Sequence, residues 1–139
     1  MKLNPDCIRA VLIAIEDCHK ISIDEDGDVS MESLPVEDIY NALPDFSRED
    51  IFYSLFNLDQ GGYVETYSTD AGDEIVMYGI RYMTYEGHEF LDKIRDPERW
   101  KTVKSIARGV RSFALDAINQ AANGVATAAI SKMVEKYVP

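Results

Sequence analysis

Apolar residues fall at helical spacing from the start of the chain. Ile8, Val11, Leu12 and Ile15 occupy i, i+3, i+4 and i+7, the pattern of one buried helix face. Asn4 or Asp6 can cap this helix, which the pattern carries to about His19. Two short β-capable runs follow, 21–23 and 29–34, separated by the charged turn Asp24-Glu25-Asp26-Gly27-Asp28. Pro35 suits the first turn of a second short helix, 36–43, with Val36, Ile39, Tyr40 and Leu43 inward. Ser47 caps a third helix and places Glu49 and Asp50 in its first turn, where the helix dipole favours acids. Ile51, Phe52, Leu55, Phe56 and Leu58 give that helix a broad apolar face, and Gly61-Gly62 ends it.

The period then shortens to two. Residues 63–67 and 75–82 are rich in aromatic and β-branched side chains and flank the polar stretch 68–74, which predicts a hairpin. Thr84 caps a further helix to about Arg95 that buries Phe90, Leu91 and Ile94. Asp96-Pro97 starts another, with Trp100, Val103 and Ile106 on one side. A last helix runs from Ser112 to about Tyr137. Helix, short β, two helices and a β-hairpin is the winged-helix order. The expected fold class is therefore α+β: a winged-helix-like domain over 1–95 and a C-terminal helical extension over 96–139, in one compact unit.

The string Thr84-Tyr85-Glu86-Gly87-His88-Glu89-Phe90-Leu91-Asp92-Lys93-Ile94-Arg95-Asp96 adds a resemblance. With Trp100-Lys101-Thr102-Val103-Lys104, the opening residues 1–9 and the passage Asp50 to Val64, it resembles an uncharacterised family of small bacterial and phage proteins, a domain of unknown function. It is more distantly similar to YjcQ-type winged-helix proteins. The likeness covers most of the chain and is weakest over the last thirty residues. It implies a winged-helix-like fold and carriage on phages and mobile elements, and it supplies no activity and no catalytic residues.

Composition narrows the function classes. The chain has 139 residues, 46% hydrophobic and 28% charged, and a formal charge of −11. That length buries a core without metal or disulfide staples. The amino terminus has no signal or lipidation pattern, and the uncharged run from Ala117 to Ser131 is too short and too polar to span a bilayer. A place in the bacterial host cytosol is expected. Cys7 and Cys18 lie on one predicted helix, roughly 16 Å apart along its axis at 1.5 Å per residue, out of disulfide reach. Both thiols are expected to be reduced, core-facing and inert.

No constellation for chemistry is complete. His88-Glu89-Phe90-Leu91-Asp92 has Asp92 where a zinc-protease helix needs its second histidine, so His88 is expected to pack in the first helical turn and satisfy a nearby acceptor. Asp24, Asp26 and Asp28 suggest a calcium loop, but Val29 and Pro35 stand where the loop needs Gly and Glu, which favours a solvated turn. Nucleophile elbows and phosphate loops are absent from the sequence. The expectation is no enzyme, no metal and no cofactor. The aromatic residues read as core, with Tyr53 turned outward beside Glu49 and Asn57.

Charge distribution carries the functional reading. Residues 1–90 hold five bases and twenty acids, whereas residues 91–139 hold nine bases and five acids. A DNA-reading winged helix needs bases on its second motif helix and wing. Here that helix offers Glu49, Asp50 and Asn57 with Arg48 its only base, and the wing tip offers Asp70, Asp73 and Glu74. Docking to nucleic acid in the conventional mode is disfavoured. Two readings stand. In the first, an acidic face of Asp24, Glu25, Asp26, Asp28, Glu37, Asp38, Tyr53, Asp70, Asp73 and Glu74 binds a basic protein, as a nucleic-acid mimic or inhibitor. In the second, a transcription regulator contacts DNA through Lys93, Arg95, Arg99, Lys101, Lys104, Arg108 and Arg111. The last helix, with Leu115, Ile118, Ala122, Val125 and Ala129 at spacings of three and four, suits a homodimer more than a membrane surface.

Overall fold

The structure, a computed structural model, describes the backbone of residues 1–138 and their side chains apart from those of Asp70, Ala71, Ile75, Val76 and Met77. It is a mixed α+β protein with small antiparallel sheets, in the order α1 (Pro5–Cys18), β1 (Ile21–Ile23), β2 (Val29–Met31), β3 (Leu34–Pro35), α2 (Val36–Ala42), α3 (Arg48–Gln60), β4 (Val64–Ala71), β5 (Glu74–Met83), α4 (Tyr85–Ile94), α5 (Pro97–Gly109) and α6 (Leu115–Tyr137). The chain divides into two compact units, Met1–His88 and a second that begins at Glu89. Among the described residues, no helix is long and apolar enough to cross a membrane.

The first unit is built around α1. Asn4 caps it by accepting from the Cys7 amide at 3.2 Å, and Pro5 supplies the preset backbone angle of the first turn. Cys7, Ile8, Val11, Leu12 and Ile15 are fully buried. This face packs on α2, α3 and β5. Ser47 caps α3 through the Asp50 amide at 3.1 Å, as the sequence predicts. The apolar face of α3 is narrower than expected, however. Ile51, Ser54, Leu55 and Leu58 are buried at i, i+3, i+4 and i+7, which leaves Phe56 on the far side and exposed. On α2 only Ile39 is buried; Val36, Tyr40 and Leu43 are half-buried, because seven residues give the helix one inward turn.

Strands extend further than composition suggests. Residues 68–74, expected to be a polar loop, pair as strand up to Ala71↔Glu74 around a two-residue turn at Gly72-Asp73. Gly72 has φ +69°, the first-position glycine that matches the strand twist in such tight turns. The run 29–34, expected as one strand, splits. Val29–Met31 pairs only with β1, and Leu34–Pro35 joins the other sheet, whose order is β3-β5-β4.

The register of β4 on β5 shifts between Glu65/Thr66 and Thr69/Asp70. Arg81 is the extra residue at the first shift, since Glu65 pairs with Tyr82 and Thr66 with Ile80. Ile80 and Met83 lie three apart, so strict alternation would send them to opposite faces; the bulge between them lets both be buried. Opposite Tyr67 stands Gly79, where a Cβ would collide with the Tyr67 ring. The glycine is the seat of that ring.

One joint ties the end of β5 to the turn between α3 and β4. Thr84 donates its backbone N–H to the Tyr63 carbonyl at 3.0 Å and its hydroxyl to the Gly62 carbonyl at 2.6 Å. The same hydroxyl accepts from the Gly87 amide at 3.1 Å and so caps α4. A Cβ on Gly87 would strike the Tyr63 carbonyl oxygen and the Met83 side chain. The Thr-x-x-Gly string is thus a packing device.

In the second unit Phe90, Leu91, Ile94, Trp100, Val103, Ala107, Ile118, Ala121 and Ala122 are buried, and α5 packs on α6. Asp96 caps α5 by accepting from the Arg99 amide at 2.9 Å. Ala107, rather than the expected Ile106, completes the inner face after Trp100 and Val103, and Ile106 is exposed. The last helix starts at Leu115, three residues later than expected, after Arg111 takes a left-handed φ of 59°.

The joint makes two substitutions informative. Thr84→Ala should cost about 1–2 kcal/mol through the lost cap, and Gly87→Ala about 1–3 kcal/mol through overpacking against a carbonyl that cannot move aside. Urea denaturation of both variants beside wild type measures this, and Thr84→Ser should recover most of the loss.

Candidate functional site

The β1–β2 ribbon is the most unusual surface of the first unit. Ile21 pairs with Met31, Ser22 with Ser30 and Ile23 with Val29. Alternation therefore puts Ile21, Ile23, Val29 and Met31 on one face and the serines on the other, where their hydroxyls lie 3.2 Å apart. The four apolar side chains are 64%, 69%, 65% and 58% exposed in the order Ile21, Ile23, Val29, Met31. A two-stranded ribbon of this length is marginal in water by itself. Its turn is correspondingly well tied: Asp24 Oδ1 accepts from the amides of Asp26 and Asp28, each at 2.9 Å, and the Asp24 carbonyl accepts from Gly27, whose φ is +84°.

Asp24, Asp26 and Asp28 are the acids that the fold brings together, their carboxylate oxygens within 4.8 Å of one another, all exposed. With the exposed Glu25 they make the turn at the end of the ribbon densely negative. The other members of the expected acidic face sit on separate elements. Glu37 and Asp38 are exposed in the first turn of α2, and Asp73 and Glu74 are exposed at the β4–β5 turn. The side chain of Asp70 lies outside the described ones.

Glu37 is engaged, accepting from Arg48 Nη1 at 3.2 Å, while the Arg48 guanidinium also lies 4.8 Å from the Tyr40 ring centroid. Burial and the Glu37 carboxylate push the Tyr40 phenol up from its usual range, with Arg48 acting in the opposite sense. Tyr53, expected outward, is half-buried; with Met1, Tyr40, Arg48, Glu49 and Phe52 it lines a shallow hollow of about 370 Å³. Phe52 in turn packs on Tyr78 at 4.9 Å between ring centroids. The one base of α3 is thereby held between a carboxylate and a ring.

The expected basic face lies in the second unit. Arg95, Arg99, Lys101, Arg108 and Arg111 are exposed and Lys93 and Lys104 half-buried. Lys101 pairs with Glu98 at 3.4 Å, and Lys104 stands 5.7 Å from the Trp100 ring centroid. On α6, Ile118 and Ala122 are buried within the unit, while Leu115, Val125 and Ala129 are half-buried. The exposed apolar residues come later, at Ile130, Met133, Val134, Tyr137 and Val138. His88, expected to be packed, is exposed.

Neither apolar surface was picked out from sequence. The alternation Ile-Ser-Ile and Val-Ser-Met is plain, but only the fold shows that these four apolar side chains are exposed. The same holds for residues 130–138.

The cysteines also separate. Cys7 is fully buried, and burial pushes its thiol up, the neighbouring Ser54 hydroxyl opposing part of that shift. Cys18, expected to face the core, is half-buried instead, because it ends α1 beside Lys20, Glu32, Ser33, Leu34 and Asp38 around a hollow of about 130 Å³.

These features define a small α+β domain that displays apolar and charged surface on its ribbon and on its last helix. The chain belongs to the family described as Hypothetical protein (DUF2513), which matches residues 2–114. A Haemophilus influenzae protein named Uncharacterized protein is 28% identical over 134 residues, 96% of this chain and 99% of that one. No solved structure matches.

Thiol labelling under native conditions should modify Cys18 and spare Cys7 until the protein is unfolded. Mass mapping after iodoacetamide treatment, with and without urea, checks this.

Proposed function

We propose that this chain is a non-enzymatic protein-interaction module: a winged-helix-like scaffold, working in the bacterial cytosol, that presents its β1–β2 ribbon to a basic protein. The carrying observation is the ribbon itself, four exposed apolar side chains on one face beneath a tip of four acids. A contiguous apolar patch rimmed by charge marks an interaction site. Its partner is a protein with an apolar hollow edged by lysines or arginines, drawn in by the acidic tip and held by the ribbon face.

The strand order β3-β5-β4, after two helices of which the second runs into the hairpin, supports the winged-helix-like reading. Arg48, held by Glu37 and Tyr40, leaves α3 with an outward acidic character that suits a basic protein better than a phosphate backbone. The phage carriage implied by the sequence resemblance fits an inhibitor or anti-defence factor acting on a nucleic-acid-binding host protein.

Affinity capture followed by titration of the purified partner tests this. Ile23→Asp with Val29→Asp should weaken binding at least about tenfold. Asp26→Lys with Asp28→Lys should slow association and flatten its salt dependence. Binding to duplex DNA that is lost in Lys101→Glu with Arg108→Glu, and is indifferent to the ribbon variants, overturns the proposal in favour of the basic-face regulator.

A further inference from the structure

Helix α6 has 23 residues, about 35 Å at 1.5 Å per residue. Its first half is anchored, with Ile118, Ala121 and Ala122 buried and α5 packed alongside. Its second half has a different character. Ile130, Met133, Val134 and Tyr137 repeat at i, i+3, i+4 and i+7 on one stripe, and they are 64%, 52%, 51% and 69% exposed, with Val138 at 62%. With Ala126 and Ala129 they line a groove of about 560 Å³ whose other wall is Glu89, Asp92, Lys93 and Arg99, all within the second unit.

The geometry points to a second copy of this chain as the occupant, α6 lying antiparallel against α6 through residues 130–138. Area is the first argument. The five residues, each more than half exposed, present roughly 600 Å² per copy, and a two-fold pairing removes at most on the order of 1,200 Å², the lower end of specific interfaces. A self-complementary stripe brings its own partner surface, which is what a two-fold interface requires.

Polarity chooses the antiparallel order. Two parallel helices would set their negative carboxyl ends side by side, whereas the antiparallel pair separates them. Centred between Met133 and Val134, this order sets Ile130 of one copy opposite Tyr137 of the other. The rim supports the same occupant. Beyond Ala126 the helix carries Lys132, Glu135 and Lys136, and the groove wall carries both signs as well, Glu89 and Asp92 beside Lys93 and Arg99, so opposite charges can pair across the two copies. Lys136 Nζ lies 5.5 Å from the Tyr137 ring centroid, at the stripe's edge where it can meet those acids on the facing copy. This stripe is distinct from the expected one at Leu115, Ile118, Ala122, Val125 and Ala129, of which Ile118 and Ala122 pack inside the chain.

Sedimentation velocity on the full chain across the micromolar range tests the inference, since interfaces of this size dissociate there or tighter. A concentration-dependent dimer is expected. Met133→Glu with Tyr137→Glu, both exposed in the monomer, should give the monomer mass with an unchanged circular dichroism spectrum and a melting temperature that no longer rises with protein concentration. Lys136→Glu should weaken the dimer at least about threefold, and adding Glu89→Lys with Asp92→Lys should restore it. A wild-type monomer throughout that range, or a dimer that survives Met133→Glu with Tyr137→Glu, overturns the proposal. So does a dimer that is lost only when Ile23→Asp is made in the ribbon.

Discussion

Thr84 fastens the end of β5 to the turn between α3 and β4 and caps the helix that follows. Its amide and hydroxyl reach back across the α3–β4 turn to the Tyr63 and Gly62 carbonyls, and the same hydroxyl starts α4. Gly62, at φ +80°, aims its carbonyl there, and Gly87 leaves room for the helix to sit down on the turn. The end of β5 is thus fixed in place, and with it the register in which Ile80 and Met83 are both buried. One residue thereby satisfies three backbone groups, two through its hydroxyl and one through its amide, where an orphaned amide or carbonyl is costly.

Around that frame the molecule separates two kinds of surface. The first unit concentrates acid at the β1–β2 tip and pairs its one α3 base, still exposed, with a carboxylate and a ring. The second unit is the basic part of the chain, yet Lys101 and Lys104 already have neighbours in Glu98 and Trp100. On both units apolar side chains stay in water, where they add nothing to the fold. Burying them against a partner releases ordered solvent at no cost to the core.

Much of the architecture was legible because it obeys local rules. Asn4, Ser47, Thr84 and Asp96 announce their helices by capping chemistry, and the acidic turn announces itself through Asp and Gly. The failures share a cause in tertiary context. Phe56 and Ile106 are as apolar as their buried neighbours, and only the direction of each helix shows that Ser54 and Ala107 go inside instead. Residues 68–74 are polar enough to read as loop, but a single glycine turn lets the ladder continue through them. The candidate surfaces were half legible. The acids were visible as a cluster in sequence, whereas the exposure of the ribbon face and of the stripe at 130–138 is visible only in the fold.

The bulges in β5 have a consequence beyond side-chain phase. In the order β3-β5-β4 the eight-residue β4 is an outer strand, and a straight, open outer strand of that length is a template on which further chains can stack into fibrils. Two extra residues in its neighbour increase the twist of the pair, so β4 presents a twisted border rather than a flat one. A twisted outer strand is a poorer template for stacking along the sheet than a flat one.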